Sequence, residues 1–241
     1  MTLQQEISTL AQREHYTFSD LVAITRILRS EQGCPWDREQ DHHSVRASMI
    51  EETYEVVEAI DNDDPVLLRE ELGDALFQVL FHAQIETECG SFGIDEVVDD
   101  IAKKMVHRHP HVFGDVNAPT SDAVLKNWEI IKTEEKQRNT LVDKLRAIPP
   151  MLPALMRASK VAKKAERAKG ASQKELLGAI DASLTSFRTE ETLAPDDAKR
   201  AVGELLLAVI DLSRALGVDA EEALSATTDR MIDEIAEKTK K

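Results

Sequence analysis

Between Met49 and Asp74 the chain reads as two amphipathic helices hinged at Asn62-Asp63-Asp64-Pro65, each carrying carboxylates at helical spacing. Glu51, Glu52 and Glu55 fall within roughly a 100° arc at 3.6 residues per turn. Glu71 and Asp74, three apart, share a face of the second helix. Apolar residues recur at the same period: Ile50, Tyr54, Val57 and Ile60 on the first helix, Leu68, Leu72, Leu76 and Val79 on the second. These stripes are expected to pack the two helices as an antiparallel pair. Five carboxylates then converge, which is costly unless a cation sits among them. A ligand set made of oxygen alone selects a hard divalent ion, Mg²⁺ or Mn²⁺. The residues leave a second reading open, a solvated acidic face. The second acidic pair and its apolar support favour the metal site.

The fold expected around this hairpin is all-α. Aromatic and β-branched runs are scarce, while Ala, Leu, Glu and Lys are abundant. At 241 residues the chain can bury a core as one domain or two small ones. Its net charge of -15 argues against a general nucleic-acid or anionic-membrane surface. Two cysteines, Cys34 and Cys89, imply neither a disulfide framework nor a cysteine metal cluster. No apolar run is long enough to span a membrane, and the N-terminal residues lack the marks of a signal peptide. The expected compartment is the cytoplasm.

Taken in order, a helix is expected from Phe18 to Arg29 with Ser19 as N-cap, stopping at Gly33. A tight loop follows, Gly33-Cys34-Pro35-Trp36-Asp37 with Gln40 and His42. Trp36 either stacks on a base or plugs the top of a bundle, and the plug is the simpler reading. Cys34 reads as a small buried hydrophobe and His82 as a core or interface histidine. The acidic helices run from near Ser44 and on to about Glu88, with Gly90 ending the second. A further helix, Ile94 to Val106, leads into Lys103-Lys104-Met105-Val106-His107-Arg108-His109-Pro110-His111-Val112-Phe113-Gly114. Lys103, Lys104 and Arg108 concentrate positive charge at a helix end that Pro110 terminates. Basic side chains beside an acidic metal cluster are what a triphosphate needs. Zinc at His107, His109 and His111 is disfavoured by their spacing and by Pro110.

A helix from Asp122 to Arg138 carries Trp128, Lys132 and Lys136, either as a stacking and phosphate-contacting arm or as an ordinary amphipathic helix. Prolines between Arg146 and Pro153 mark a linker. This divides the chain into domains at residues 1–145 and 154–241. Helices follow at Ala154 to Lys169, Ser172 to Thr189, Asp196 to Leu216, and from Asp219 or Ala220 to the end. An imperfect repeat relates ELGDALFQVLFHAQIETECG to VGELLLAVIDLSRALG, with Glu204 in place of Asp74 and Ala201 in place of Glu71. Ile180 to Phe187 is the expected counterpart of the EExxE helix, without its acids. Chemistry therefore belongs to the first half.

With these residues laid out, the chain resembles the MazG family of nucleoside triphosphate pyrophosphohydrolases in its two-domain bacterial form. The resemblance spans essentially the whole length. It rests on Gly33 to Asp37 with Gln40, on Glu51, Glu52 and Glu55 followed by Glu71 and Asp74, on Lys104 with Arg108 to Phe113, and on Asn127-Trp128-Glu129 with Lys132. It implies tandem four-helix-bundle units that form a homodimer. The implied reaction is Mg²⁺-dependent hydrolysis of ribo- and deoxynucleoside triphosphates between the α and β phosphates, giving monophosphate and pyrophosphate. Carried over, Glu52, Glu55, Glu71 and Asp74 hold the metal. Glu51 is a further ligand or, like Glu55, a candidate base. Lys104 and Arg108 meet phosphates, and Trp128 and Lys132 complete the pocket or that of the dimer neighbour. Some relatives keep an acidic site in the C-terminal domain; here it is eroded.

Two other classes fit the residues: a helical metal- or partner-binding regulatory dimer without turnover, and a dUTPase-like pyrophosphatase of narrower specificity. No GxxxxGK[ST] motif is present, so side chains and metal must grip the phosphates.

Overall fold

The computed structural model describes residues 2–135, 140–189 and 193–239. Every regular element among them is a helix, as expected for an all-α fold. Chain contacts divide the molecule into two compact units, one ending at Leu125 and the other starting at Lys126. That division falls ahead of the proline-rich segment 146–153.

The first unit opens with α1 (Leu3–Ala11), which the periodicity did not reveal, and α2 (Phe18–Leu28). The N-cap of α2 is Thr17 rather than Ser19: its hydroxyl accepts from the Asp20 N–H, and the Asp20 carboxylate accepts from the Thr17 N–H at 2.9 Å. After α2 the chain doubles back so tightly that a Cβ on Gly33 would lie 2.0 Å from the Ile27 carbonyl oxygen. The loop that follows contains a short helix, α3 (Pro35–Glu39), with proline at its first position.

Next come α4 (Arg46–Asp61) and α5 (Pro65–Glu88), joined by a turn in which Asp63 takes φ 51°. Asp64 caps α5 by accepting from the N–H groups of Val66 and Leu67 at 2.9 and 3.0 Å. Gly90, at φ 71°, ends α5 as a left-handed C-terminal residue. The distal half of α5 forms the core, where Leu80, Phe81, Ala83 and Ile85 are buried, with Val45 packed on Phe81 and Ile85. α2 packs on α5, as does α6 (Ile94–Arg108). Pro110 ends α6 and begins the one-turn α7 (Pro110–Phe113).

The two acidic helices do pack against each other, but not through the apolar stripes. Ile50, Tyr54, Val57 and Ile60 on α4, and Leu72 and Leu76 on α5, are exposed. Helix geometry gives the reason: Ile50 and Glu52 are 200° apart around the axis, so α4 cannot turn both stripe and carboxylates toward α5. The seam takes Glu52, Glu55 and the buried Ala59, and the stripe faces outward.

α8 (Ser121–Glu135) spans the division between the units. Lys136, expected to extend its basic face, and the expected end of this helix at Arg138 lie outside the described residues. The second unit continues with α9 (Leu141–Arg146), α10 (Ala154–Lys164), α11 (Gln173–Ser183), α12 (Thr185–Thr189), α13 (Pro195–Ala215) and α14 (Ala220–Thr239). Two boundaries differ from expectation. α10 stops at Lys164 rather than Lys169, and the helix expected over Ser172 to Thr189 breaks at Leu184.

The repeat is visible in packing. α10, α11 and α14 pack on α13 as α2, α4 and α6 pack on α5. The counterpart of α4 is therefore α11, residues 173–183, and not the stretch from Ile180 to Phe187.

Candidate functional site

The hairpin of α4 and α5 brings together three of the expected carboxylates. Glu52 and Glu55 on α4 and Glu71 on α5 each present an oxygen within 4.8 Å of the other two, and all three are partly buried. Glu52 and Glu55 are one turn apart, so α4 aims both at the seam, and the hinge at Asn62–Asp64 brings Glu71 opposite them. Burial, then the charges of Asp74 and Glu55, push the Glu52 carboxyl above its ordinary pKa, against a weak hydrogen bond from Gln78 at 3.4 Å. Glu71 is raised by burial and then by Glu55, Asp74, Glu70 and Glu58.

Asp74 thus belongs to the same electrostatic cluster, on the more exposed edge of α5. Glu51 is exposed and outside the converging triad. Two contributors went unread in the sequence. Glu58 extends the acidic face of α4 by one more turn, a spacing legible in EETYEVVE. Gln78, one turn beyond Asp74, is buried at the seam and touches Glu52.

An all-oxygen, partly desolvated and mutually repelling set of this kind fits a hard divalent cation. The raised pKa values reflect first the burial of these carboxylates and then their mutual repulsion. Among the described residues this is the one group of three or more His, Cys, Asp or Glu side chains so arranged. In the second unit Ala201 is buried at the position of Glu71. Arg200 pairs with Asp197 at 3.0 Å and with Glu204, the counterpart of Asp74, at 3.7 Å.

The basic residues divide by environment. Lys104 is exposed on α6. Lys103 is tied to Asp99 one turn away, which raises its pKa. Arg108, expected to reach phosphates, is 6% exposed at the end of α6 and engaged within the protein. The Nδ1 of His109 meets the Met105 carbonyl at 2.6 Å, and its ring lies 5.6 Å from that of His111. Trp128 and Lys132 lie in the second unit, where the Lys132 ammonium stands 4.4 Å over the Trp128 ring.

The loop from Gly33 to His42 is fastened to α5 at two points. Arg29, buried after α2, forms a fork with Glu88 at 2.8–3.2 Å and donates to the carbonyls of Asp37 and Gln40 at 2.6 and 3.0 Å. Its guanidinium lies over Phe81, 4.9 Å from the ring centroid. The His42 Nδ1 is 2.7 Å from the His82 Nδ1, the rings are stacked, and the His42 Nε2 is 2.7 Å from Glu86. Burial and the neighbouring His42 lower the pKa of His82, and the His42 hydrogen bond lowers that of Glu86. Trp36, read as a plug, is instead 62% exposed, because the anchors lie on either side of it. Cys34 is half-buried.

Comparison with known proteins supports the same segment. A family model described as the MazG nucleotide pyrophosphohydrolase domain matches residues 40–113, which hold the whole cluster and Lys104. The nucleoside triphosphate pyrophosphohydrolase/pyrophosphatase MazG of Thermotoga maritima is 38% identical over 217 residues, covering 90% of this chain and 83% of that protein. The nucleoside triphosphate pyrophosphohydrolase of Escherichia coli K12 is 39% identical over 218 residues, covering 87% and 82%. That of Mycolicibacterium smegmatis is 35% identical over 213 residues, covering 85% and 63%.

Proposed function

This chain belongs to the MazG family of nucleotide pyrophosphohydrolases, and from that premise we propose that it hydrolyses nucleoside triphosphates to monophosphate and pyrophosphate at the seam of α4 and α5. The observation that carries the reading is the triad of Glu52, Glu55 and Glu71 inside the family-matched segment. We assign Glu52, Glu55, Glu71 and Asp74 as the ligands of Mg²⁺, with Mn²⁺ as a substitute. The bound ion supplies charge neutralisation at the phosphate oxygens.

The chain's own groups do the rest. Lys104, exposed beside Lys103 on α6, meets phosphate oxygens as negative charge builds on the leaving pyrophosphate. Arg108 is the second candidate for a phosphate contact, and Trp128 and Lys132 are candidates for contacting the nucleotide. The proton of the attacking water passes to a carboxylate on α4, Glu55 within the triad or Glu51 beside it. Glu51→Gln and Glu55→Gln, assayed separately, assign that role.

The outward stripe of Ile50, Tyr54, Val57 and Ile60 is a continuous apolar face of the kind that marks an interface. We propose that a second copy covers it, giving a homodimer. The domain division proposed is residues 1–145 and 154–241, with catalysis in the first. No helix among the described residues is long and apolar enough to cross a membrane. The compartment proposed is the cytoplasm.

The test is product identity. Purified protein with Mg²⁺ and a panel of ribo- and deoxynucleoside triphosphates is expected to yield monophosphate and pyrophosphate across several bases, with loss of turnover in Asp74→Asn. Diphosphate and phosphate would overturn the bond assignment. Turnover of dUTP alone would favour the dUTPase-like reading, and no turnover on any nucleotide would favour the binding module.

A further inference from the structure

Beyond α10 the chain makes three successive turns, and Glu166, Ala168 and Gly170 take φ values of 51°, 55° and 76°. Left-handed conformations at two non-glycine residues within five positions are uncommon. Ala165, just before them, is at φ -79°, ψ 1°, and the N–H groups of Ala165, Glu166 and Arg167 turn back to the carbonyls of Val161, Lys163 and Ala162, so the first left-handed residue caps α10. The N–H groups of Ala168 and Gly170 have no acceptor among the described residues.

This segment walls a cleft of about 440 Å³ with α13. Four basic side chains line it, Lys163, Arg167, Lys169 and Arg214, against two acidic ones, Glu166 and Asp211. Glu166 is engaged, and Asp211 is hydrogen-bonded through Oδ2, its Oδ1 being buried with no hydrogen-bond partner among the described residues. Lys169 pairs with Glu166 at 2.7 Å. Asp211, 6% exposed, accepts from the Arg167 Nε at 2.5 Å and lies 3.5 Å from the Arg214 Nη1. Arg214 also donates to the Arg167 carbonyl at 3.2 Å. Arg167 is therefore held from behind, through Nε alone. Its two terminal nitrogens have no partner among the described residues, and neither has Lys163.

A guanidinium oriented by a buried carboxylate and open along its other edge is the fork that receives a phosphate bidentately. The first unit shows the contrast. There Arg29 spends every nitrogen on Glu88 and on the carbonyls of Asp37 and Gln40.

We propose that the second unit carries its own oxyanion site, in which Arg167, Lys163 and Arg214 bind a phosphate or diphosphate group, free or carried by a nucleotide. The eroded half then has a ligand of its own, bound without the carboxylate cluster. In a chain of net charge -15, concentrating cations here is what draws an anion to this face.

The test uses the full-length protein in a chelator, so that the seam of α4 and α5 holds no divalent ion, with inorganic phosphate, pyrophosphate and a nucleoside monophosphate as calorimetric probes. Pyrophosphate is expected to bind once per chain and to bind equally to Glu52→Gln. Lys163→Gln and Arg167→Lys are each expected to weaken it about tenfold, the loss of one charge-assisted contact. Arg167→Lys keeps a cation for Asp211, and Lys163 is exposed, so neither variant removes a folding contact on which the readout depends. Tighter binding of the monophosphate than of pyrophosphate assigns the site to nucleotides, and the reverse to the free anion. Binding that both variants leave unchanged, or that Glu52→Gln abolishes, overturns the proposal.

Discussion

Replacing Glu52 by glutamine should stabilise the metal-free protein and abolish its response to Mg²⁺. Glu52 sits no more than 4.8 Å from the Glu55 carboxylate, and burial with the charges of Asp74 and Glu55 raises its pKa. At that separation two like charges repel by about 0.9 kcal/mol at the dielectric of water, the appropriate value for a partly exposed group. Removing one charge recovers about that much, which for a protein of this size raises Tm by roughly 2–4 °C. In the parent protein a divalent ion at about a hundred times its Kd adds about 2.7 kcal/mol, a rise of roughly 5–10 °C.

The pH dependence has a definite sign. A carboxylate with a raised folded pKa contributes stability that is fully present below its unfolded value and is lost as pH rises through the folded pKa. Glu52 and Glu71 therefore weaken the chelated protein toward neutral pH, and metal reverses this. Calorimetry in chelator and in Mg²⁺ reads both effects. A Glu52→Gln protein that melts no higher than the parent in chelator, yet still gains from Mg²⁺, would refute the reasoning.

Acid should loosen the His42–His82–Glu86 contact. The lowered pKa of His82 gives stability that is complete above its unfolded value near ~6.5 and is lost as pH falls from there through the folded value. Trp36 fluorescence and Tm followed from neutral to mildly acidic pH should show that loss, and His82→Gln should remove most of it. Arg29→Ala strips Glu88 and two loop carbonyls of their donor. With Glu88 partly exposed, the cost expected is about 2–3 kcal/mol in urea unfolding, and a cost under about 0.5 kcal/mol would contradict the anchoring role. Gly33→Ala drives a Cβ into the carbonyls of Ile27 and Leu28, so a fall in Tm is expected, and an unchanged Tm would mean the loop is not held this tightly. Lys104→Gln should raise KM for triphosphates with little change in Tm, since the side chain is exposed.

The sequence made the acidic hairpin legible because spacing alone puts Glu52 with Glu55 and Glu71 with Asp74, and Asp64-Pro65 marks the hinge. The basic end of α6 and its termination at Pro110 were readable for the same reason. Periodicity did not say which face of α4 meets α5. Two stripes about 200° apart compete for one seam, and the apolar one was the natural but incorrect choice. Trp36 was misplaced because its exposure depends on Arg29 and His42 clamping the chain on both sides, contacts that Glu88 and His82 supply from 59 and 40 residues away. Glu58 had the right spacing and was passed over. The shift from the Ile180 to Phe187 stretch to α11 follows from packing on α13, since that stretch breaks at Leu184.

Arg200 gives the duplication a further meaning. In the first unit the acids of the seam look outward for a counter-charge. In the second, the acid that survives at the same place finds one on its own helix, in Arg200. One half is thereby coupled to the supply of an ion, while the other carries its neutrality in its covalent sequence. Once a chain supplies its own cation, the surviving acid needs no ion from solution. At the place of Glu71 the buried Ala201 adds apolar packing instead of a second charge, so this seam holds together without an ion.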